Sequence, residues 1–254
     1  MSAAAAIEVE KIRFEREGEP GAGLLARPAA APAPAVLLLS AIAGINDYIE
    51  RVAYSLAAAG YVCYAPDYFV REGGPPDLSS REAIMAAVAA LPDPRVRNDL
   101  RLAIGHLGEQ DFVRQGPVGV LGFCIGGTFA VFAAAERPEV GCAVDFYGQL
   151  RYAEQTGNKP SSALDVAAEV RCPLLGHYGD RDHIVPVADV SSLAAELAGG
   201  PAEVILYPGA GHAFHEDFRP EVYRPVAATE AWRRSVLYLD WYLRRDELQI
   251  GGAR

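Results

Sequence analysis

The chain has 254 residues, 51% of them hydrophobic and 22% charged, a balance that suits one folded core and excludes disorder. A formal net charge of −10 and a pI near 5.0 set its surface against nucleic acid and anionic membranes. The four cysteines, Cys63, Cys124, Cys142 and Cys172, follow neither metal-ligand nor disulfide-framework spacing, so a reducing compartment is expected.

Met1–Glu8 lacks a basic start and a long apolar stretch, so it does not read as a signal peptide, and a cytoplasmic location is expected. Alternation from Ile7 to Phe14 predicts a solvent-facing strand, with Gly23–Arg27 as its pairing partner. The prolines between Pro28 and Pro34 deny the backbone ladder hydrogen bonds, and that stretch reads as a loop. The apolar run from Ala35 to Ala43 is about half the length needed to span a bilayer.

Within that run, Val36–Leu39 begins a series of short apolar segments typical of buried parallel strands. A helix is predicted over Asp47–Ala59. Tyr61–Ala65 is the next strand, followed by helical sequence over Ser80–Leu107 that breaks at Pro92–Pro94. Val118–Leu121 is a strand that runs into Gly122-Phe123-Cys124-Ile125-Gly126-Gly127 and then a helix. Cys142–Tyr147 is a strand followed by a polar, irregular stretch over Gly148–Asp165. Pro173–Tyr178 precedes a helix over Val187–Leu197, Glu203–Tyr207 is the last strand, and Val226–Leu243 is a long closing helix. No internal repeat or composition shift divides the chain. The alternation predicts a single α/β domain over residues 1–254, with a mostly parallel open sheet and helices on both faces.

In such sheets reactive loops gather beyond the carboxyl ends of the strands, and three strand ends carry polar candidates. The first is Cys124, at the apex of a strand–turn–helix with glycine two residues before it and two after. Helix polarity at such an apex stabilises a thiolate. The second is the segment from Gly179 to Pro186, where Asp182 is favoured as an acid because Ile184-Val185-Pro186 would pack it down. Asp180 is the alternative, read as a turn residue bonding its own backbone. The third is His212, behind the small residues Gly209-Ala210-Gly211, placed to act as a general base. His106, His177, His183 and His215 read as structural or surface residues. The order nucleophile, acid, histidine is the one found on α/β-hydrolase folds. The backbone N–H groups of Ile125 and Ile42 are the expected oxyanion donors.

These segments resemble the dienelactone hydrolase (carboxymethylenebutenolidase) family over about residues 20–245. The matching stretches are Gly122–Gly127, Tyr64-Ala65-Pro66-Asp67, Asp182-His183-Ile184-Val185-Pro186 and Ala210-Gly211-His212-Ala213-Phe214. The resemblance implies a Cys124–His212–Asp182 triad that opens an unsaturated lactone through a thioester. It also implies that Arg71 binds a substrate carboxylate; Tyr147 is the second substrate-binding candidate. Two positions depart from the family pattern. Ala41 stands where relatives carry the glutamate that partners the resting thiol, and Glu216 stands where they carry a second carboxylate-binding arginine. With that glutamate gone, Cys124 is expected to pair as a thiolate with an imidazolium at His212 even without substrate.

The reading is a cofactor-free, metal-free thiol hydrolase of a small lactone or ester, acting as a monomer or small homo-oligomer. A broad carboxylesterase or thioesterase is the alternative within enzymes. A non-catalytic protein with Cys124 as a redox-sensing thiol is the alternative outside them.

Overall fold

Glu17 and Gly18 both adopt positive φ, 56° and 78°, the backbone of a tight hairpin turn. They join β1 (Ile7–Arg16) to β2 (Glu19–Pro28) in the computed structural model, which describes residues 6–30 and 32–245. The reading of the N-terminus as lacking a signal peptide falls partly on residues 1–5, and the Pro28–Pro34 loop includes residue 31. Both positions lie outside the described residues, as do residues 246–254 of the predicted domain. The pairing predicted for Gly23–Arg27 extends along the whole of β2, and β1 is largely exposed, as its alternation implied.

Six further strands follow: β3 (Ala35–Leu39), β4 (Val62–Pro66), β5 (Val118–Phe123), β6 (Val140–Phe146), β7 (Leu174–Gly179) and β8 (Ala202–Tyr207). They form one eight-stranded sheet in the order β1-β2-β4-β3-β5-β6-β7-β8. β2 runs antiparallel to β1 and β4; every other pairing is parallel. Strands β3 to β5 are continuous apolar runs because both of their faces are covered. Leu37, Leu39 and Val120 point into one core, and Val36, Leu38 and Leu121 into the other.

Helices α1 (Asp47–Ala58) and α6 (Pro225–Leu243) close the second core through Ile49, Leu56, Leu239 and Leu243. Helices α3 (Asp93–Gly108), α4 (Ile125–Glu136) and α5 (Val187–Glu196) close the first through Leu100, Phe129 and Leu193. α2 (Arg81–Ala90) differs from these, because none of its residues is buried. The helical sequence around residue 92 breaks as expected: Leu91 ends α2, Pro92 precedes α3, and Pro94 sits in its first turn, where no backbone donor is needed.

The irregular stretch after β6 contains a short 3₁₀ helix, Ala163–Glu169. It is held by a pair that hydropathy did not signal. Lys159 is 4% exposed and donates to the buried Asp93 at 2.5 Å, and the Tyr152 hydroxyl donates to the same carboxylate at 2.8 Å.

Candidate active site

The elbow is built from sterics. Cys124 has φ 54° and ψ −122°, a strained conformation for a side chain-bearing residue, and it directly precedes α4. The strain is held by close backbone packing. A Cβ added at Gly122 would lie 2.0 Å from the Gly126 carbonyl oxygen, and one added at Gly126 would lie 2.2 Å from that of Leu39. The Cys124 N–H donates to the Phe146 carbonyl at 3.0 Å, fixing the apex against β6. Gly126→Ala is therefore expected to cost about 3 kcal/mol or more, since backbone on both sides must shift. A denaturant midpoint unchanged from the parent protein would contradict this.

The acid and histidine loops are tied together beyond β7 and β8. Arg181 N–H donates to the Ala210 carbonyl at 2.9 Å, and Asp180 accepts from Gly209 N–H at 2.7 Å. Asp180 thus braces the histidine loop, rather than closing a turn on its own backbone. Asp182 meets the histidine: its Oδ2 lies 2.9 Å from His212 Nδ1, while its Oδ1 accepts from Ile184 N–H at 2.7 Å and Val185 N–H at 3.0 Å. His212 Nε2 lies 3.2 Å from Cys124 Sγ. The three residues selected from the sequence therefore form one continuous hydrogen-bonded line.

Burial works against charge on His212. The field of Cys124 when ionised and hydrogen bonds to Asp182 and Cys124 outweigh it and raise the imidazole pKa. Burial likewise pushes Asp182 up, but its hydrogen bonds from His212, Ile184 and Val185 prevail and hold the carboxyl below its usual range. Asp145, at the end of β6, is a buried acid the sequence reading did not single out. Its carboxylate accepts from Gly148 N–H at 2.7 Å and from the Tyr178 hydroxyl, and burial raises its pKa to about 6. It supports the loop beside the elbow and leaves His212 to Asp182.

Cys124 and His212 open onto a cavity of about 560 Å³ whose lining is mostly apolar. Ile42 and Ile125 both line it. Ile125 is the first residue of α4, where a backbone N–H has no intrahelical acceptor. Ile42 lies in a turn closed by Gly44 N–H donating to the Ala41 carbonyl at 2.9 Å. Glu216 is buried in the same wall; burial raises its pKa, and its partner Arg219, at 3.0 Å, pulls it back.

The two substrate-binding candidates lie elsewhere. Both terminal nitrogens of Arg71 bond Asp99, at 2.9 and 3.0 Å, and one also bonds Glu19 at 2.9 Å; the side chain does not line the cavity. Tyr147 is fully buried at φ 47°, its ring edge-on to His212 with centroids 5.2 Å apart, so it backs the histidine from behind the cavity wall.

Of the other histidines, three are structural. His177 bonds Tyr207 and Ser235, His215 Nδ1 lies 2.6 Å from the Tyr48 hydroxyl, and His106 stacks on Phe14. Burial lowers His177 to about 3 and His215 to about 4. His183 is exposed as expected but stands at the cavity lining. Sequence reasoning also passed over Arg81. The signal was present: Arg81, Ile84, Met85 and Val88 share one helical face, and all four line the cavity.

The model of the dienelactone hydrolase family matches residues 22–243. The chain belongs to the dienelactone hydrolase family. A Bradyrhizobium relative, provisionally named 2-oxo-3-(5-oxofuran-2-ylidene)propanoate lactonase, is 40% identical over 240 residues, covering 93% of this chain and 96% of its own. A provisionally named carboxymethylenebutenolidase of Escherichia coli K12 is 34% identical over 229 residues, covering 88% and 79%. A provisionally named dienelactone hydrolase crystal structure from Klebsiella pneumoniae superposes with a TM-score of 0.85 at 30% identity, covering 93% and 98%. This member is accordingly a hydrolase of ester or lactone bonds on an α/β-hydrolase fold, which sets aside the non-catalytic sensor reading. No helix among its described residues is long and apolar enough to cross a membrane.

Proposed function

We infer that this dienelactone hydrolase family member opens a small lactone or ester through a thioester on Cys124. The observation that carries the reading is the line Cys124 Sγ–His212 Nε2–Asp182, at 3.2 and 2.9 Å, standing at a strained elbow that faces a cavity. The Cys124 thiolate attacks the carbonyl carbon, and the oxyanion takes hydrogen bonds from the Ile42 and Ile125 N–H groups. As the tetrahedral intermediate collapses, the carbon–oxygen ester bond breaks and His212 Nε2–H passes its proton to the leaving oxygen. Neutral His212 then takes a proton from water, whose oxygen attacks the thioester carbon. Collapse of the second intermediate releases the carboxylic acid and restores the thiolate. Asp182 accepts from Nδ1–H throughout, holding one tautomer and orientation.

The test is an acid quench during turnover of p-nitrophenyl acetate, followed by mass spectrometry. An acetyl adduct on the Cys124 peptide is expected. Steady turnover with no adduct at Cys124 under any quench time overturns the thioester. The lactone reading draws on the lactonase name of the 40%-identical relative. The apolar lining of the cavity favours a broad carboxylesterase as the second reading, and a turnover screen of dienelactone against neutral lactones and aryl esters separates the two.

A resting thiolate–imidazolium pair accompanies this mechanism, with the Cys124 sulfur 3.2 Å from His212 Nε2. A raised folded-state pKa means that the His212 imidazolium's contribution to stability is fully present below the ordinary histidine value of about 6.5 and is lost as pH rises through the folded value. Cys124→Ser removes the sulfur charge. The His212 pKa is then expected to fall by at least about one unit, read by NMR titration of the ring nitrogens. An unchanged titration would show that the sulfur carries no charge at rest.

A further inference from the structure

Two amide side chains line the cavity on opposite sides of the nucleophile, and the backbone holds each by a different end. Asn46 follows β3 and Gln149 follows β6, the two strands that flank β5, which leads into Cys124. Asn46 caps α1. Its Oδ1 accepts from Ile49 N–H at 3.1 Å, so its N–H₂ donors are what it offers a ligand. Gln149 is tied the other way round. Its Nε2 donates to the Arg151 carbonyl at 3.0 Å, which leaves Oε1 as an acceptor that no donor among the described residues bonds. The backbone beneath it is fixed: Gly148 N–H donates to Asp145 at 2.7 Å, and the Gln149 carbonyl accepts from Thr128 Oγ1, near the start of α4, at 3.0 Å.

That orientation sets a chemical demand. A plain ester or lactone group brings acceptor oxygens and no donor, and the N–H groups of Ile42, Ile125 and Asn46 suit those oxygens. The lining carboxylate Glu216 already takes the Arg219 guanidinium at 3.0 Å. Gln149 Oε1 is an uncharged acceptor, matched when the substrate brings a neutral O–H of its own. A site that holds such a group ready discriminates against substrates that leave it unpaired. We propose that Gln149 is a specificity-determining residue that accepts a hydrogen bond from a substrate hydroxyl, so that this enzyme prefers hydroxylated lactones or esters to plain ones.

This preference rests on the hydrolase reading of Cys124, and the experiment keeps the two apart. The probes are γ-butyrolactone, its α- and β-hydroxy derivatives, and the methyl ethers of those two, which keep the oxygen and lose the donor. Acid release is followed in a pH-stat. The parent protein is expected to show a higher kcat/KM for a hydroxylactone than for its methyl ether and for γ-butyrolactone. Gln149→Met keeps the length of the side chain and removes the acceptor. It is expected to lower the ratio of kcat/KM between the hydroxylactone and its ether about tenfold, chiefly through KM. Comparing that ratio between parent and variant cancels the intrinsic reactivity of each lactone. An equal loss on every lactone, as expected of a residue that positions the attacking water, overturns the proposal. So does a parent protein with no hydroxyl preference. A second readout needs no turnover: Cys124→Ala is expected to bind a hydroxylactone more tightly than its ether in an NMR titration, and the double variant with Gln149→Met to bind the two alike. Equal binding by Cys124→Ala also overturns the proposal. Selective binding with no turnover of any lactone by the parent instead counts against the catalytic reading alone.

Discussion

Cys124→Ala is expected to lower kcat on a p-nitrophenyl ester by about four to six orders of magnitude, with the fold intact. The sulfur stands 3.2 Å from His212 at the elbow apex, placed to attack, and alanine offers no nucleophile in its place. Alanine at this position keeps the positive φ of 54°, so it neither relieves nor adds backbone strain, and the thermal midpoint is expected to stay close to the parent's. The Ile42 and Ile125 N–H groups remain, which leaves a small residual rate above water. Circular dichroism and melting check the fold while ester turnover reads the loss. A variant retaining a tenth of the parent activity would remove Cys124 from the chemistry.

Asp182→Asn is expected to lower kcat by about two to four orders of magnitude. Ile184 N–H and Val185 N–H already donate to Oδ1, so an asparagine oxygen would occupy that position and its amide N–H₂ would face His212 Nδ1. Two donors would then oppose each other, or the imidazole would flip tautomer and lose its hold on the Cys124 sulfur. The negative charge that helps keep His212 protonated would be gone as well. Asp180→Asn is the control. Its Oδ1 can still accept from Gly209 N–H, so activity within about tenfold of the parent is expected. If Asp180→Asn proves the more damaging of the two, the acid has been misassigned.

Much of the fold was legible because local patterns carried it. The apolar runs of β3, β4 and β5 are short and continuous, which is what strands covered on both faces require, and helical periods mark the segments between strands. The glycines two residues either side of Cys124 mark the elbow, because no Cβ fits against the backbone of Leu39 or Gly126 there. The partner of Arg71 was not legible in the same way. Nothing in Tyr68-Phe69-Val70-Arg71 announces Asp99, on a helix 28 residues further along, and the structure places Arg71 outside the cavity lining. The Lys159–Asp93 pair was hidden for the same reason: two charged residues 66 apart in the chain become a buried contact only after α3 and the loop beyond β6 have packed.

Sequence alone determined which residues could carry chemistry and in what order, since residue identity, strand period and the steric demand for glycine all act within a few positions. Tertiary structure decided which of them meet. Asp182 rather than Asp180 reaches His212, Tyr147 backs the histidine instead of lining the cavity, and Arg71 is held by Asp99 and Glu19 outside the cavity. The physical reason is range. Hydrogen bonds and ion pairs act over a few ångströms, and only the packed chain sets those separations between residues dozens of positions apart.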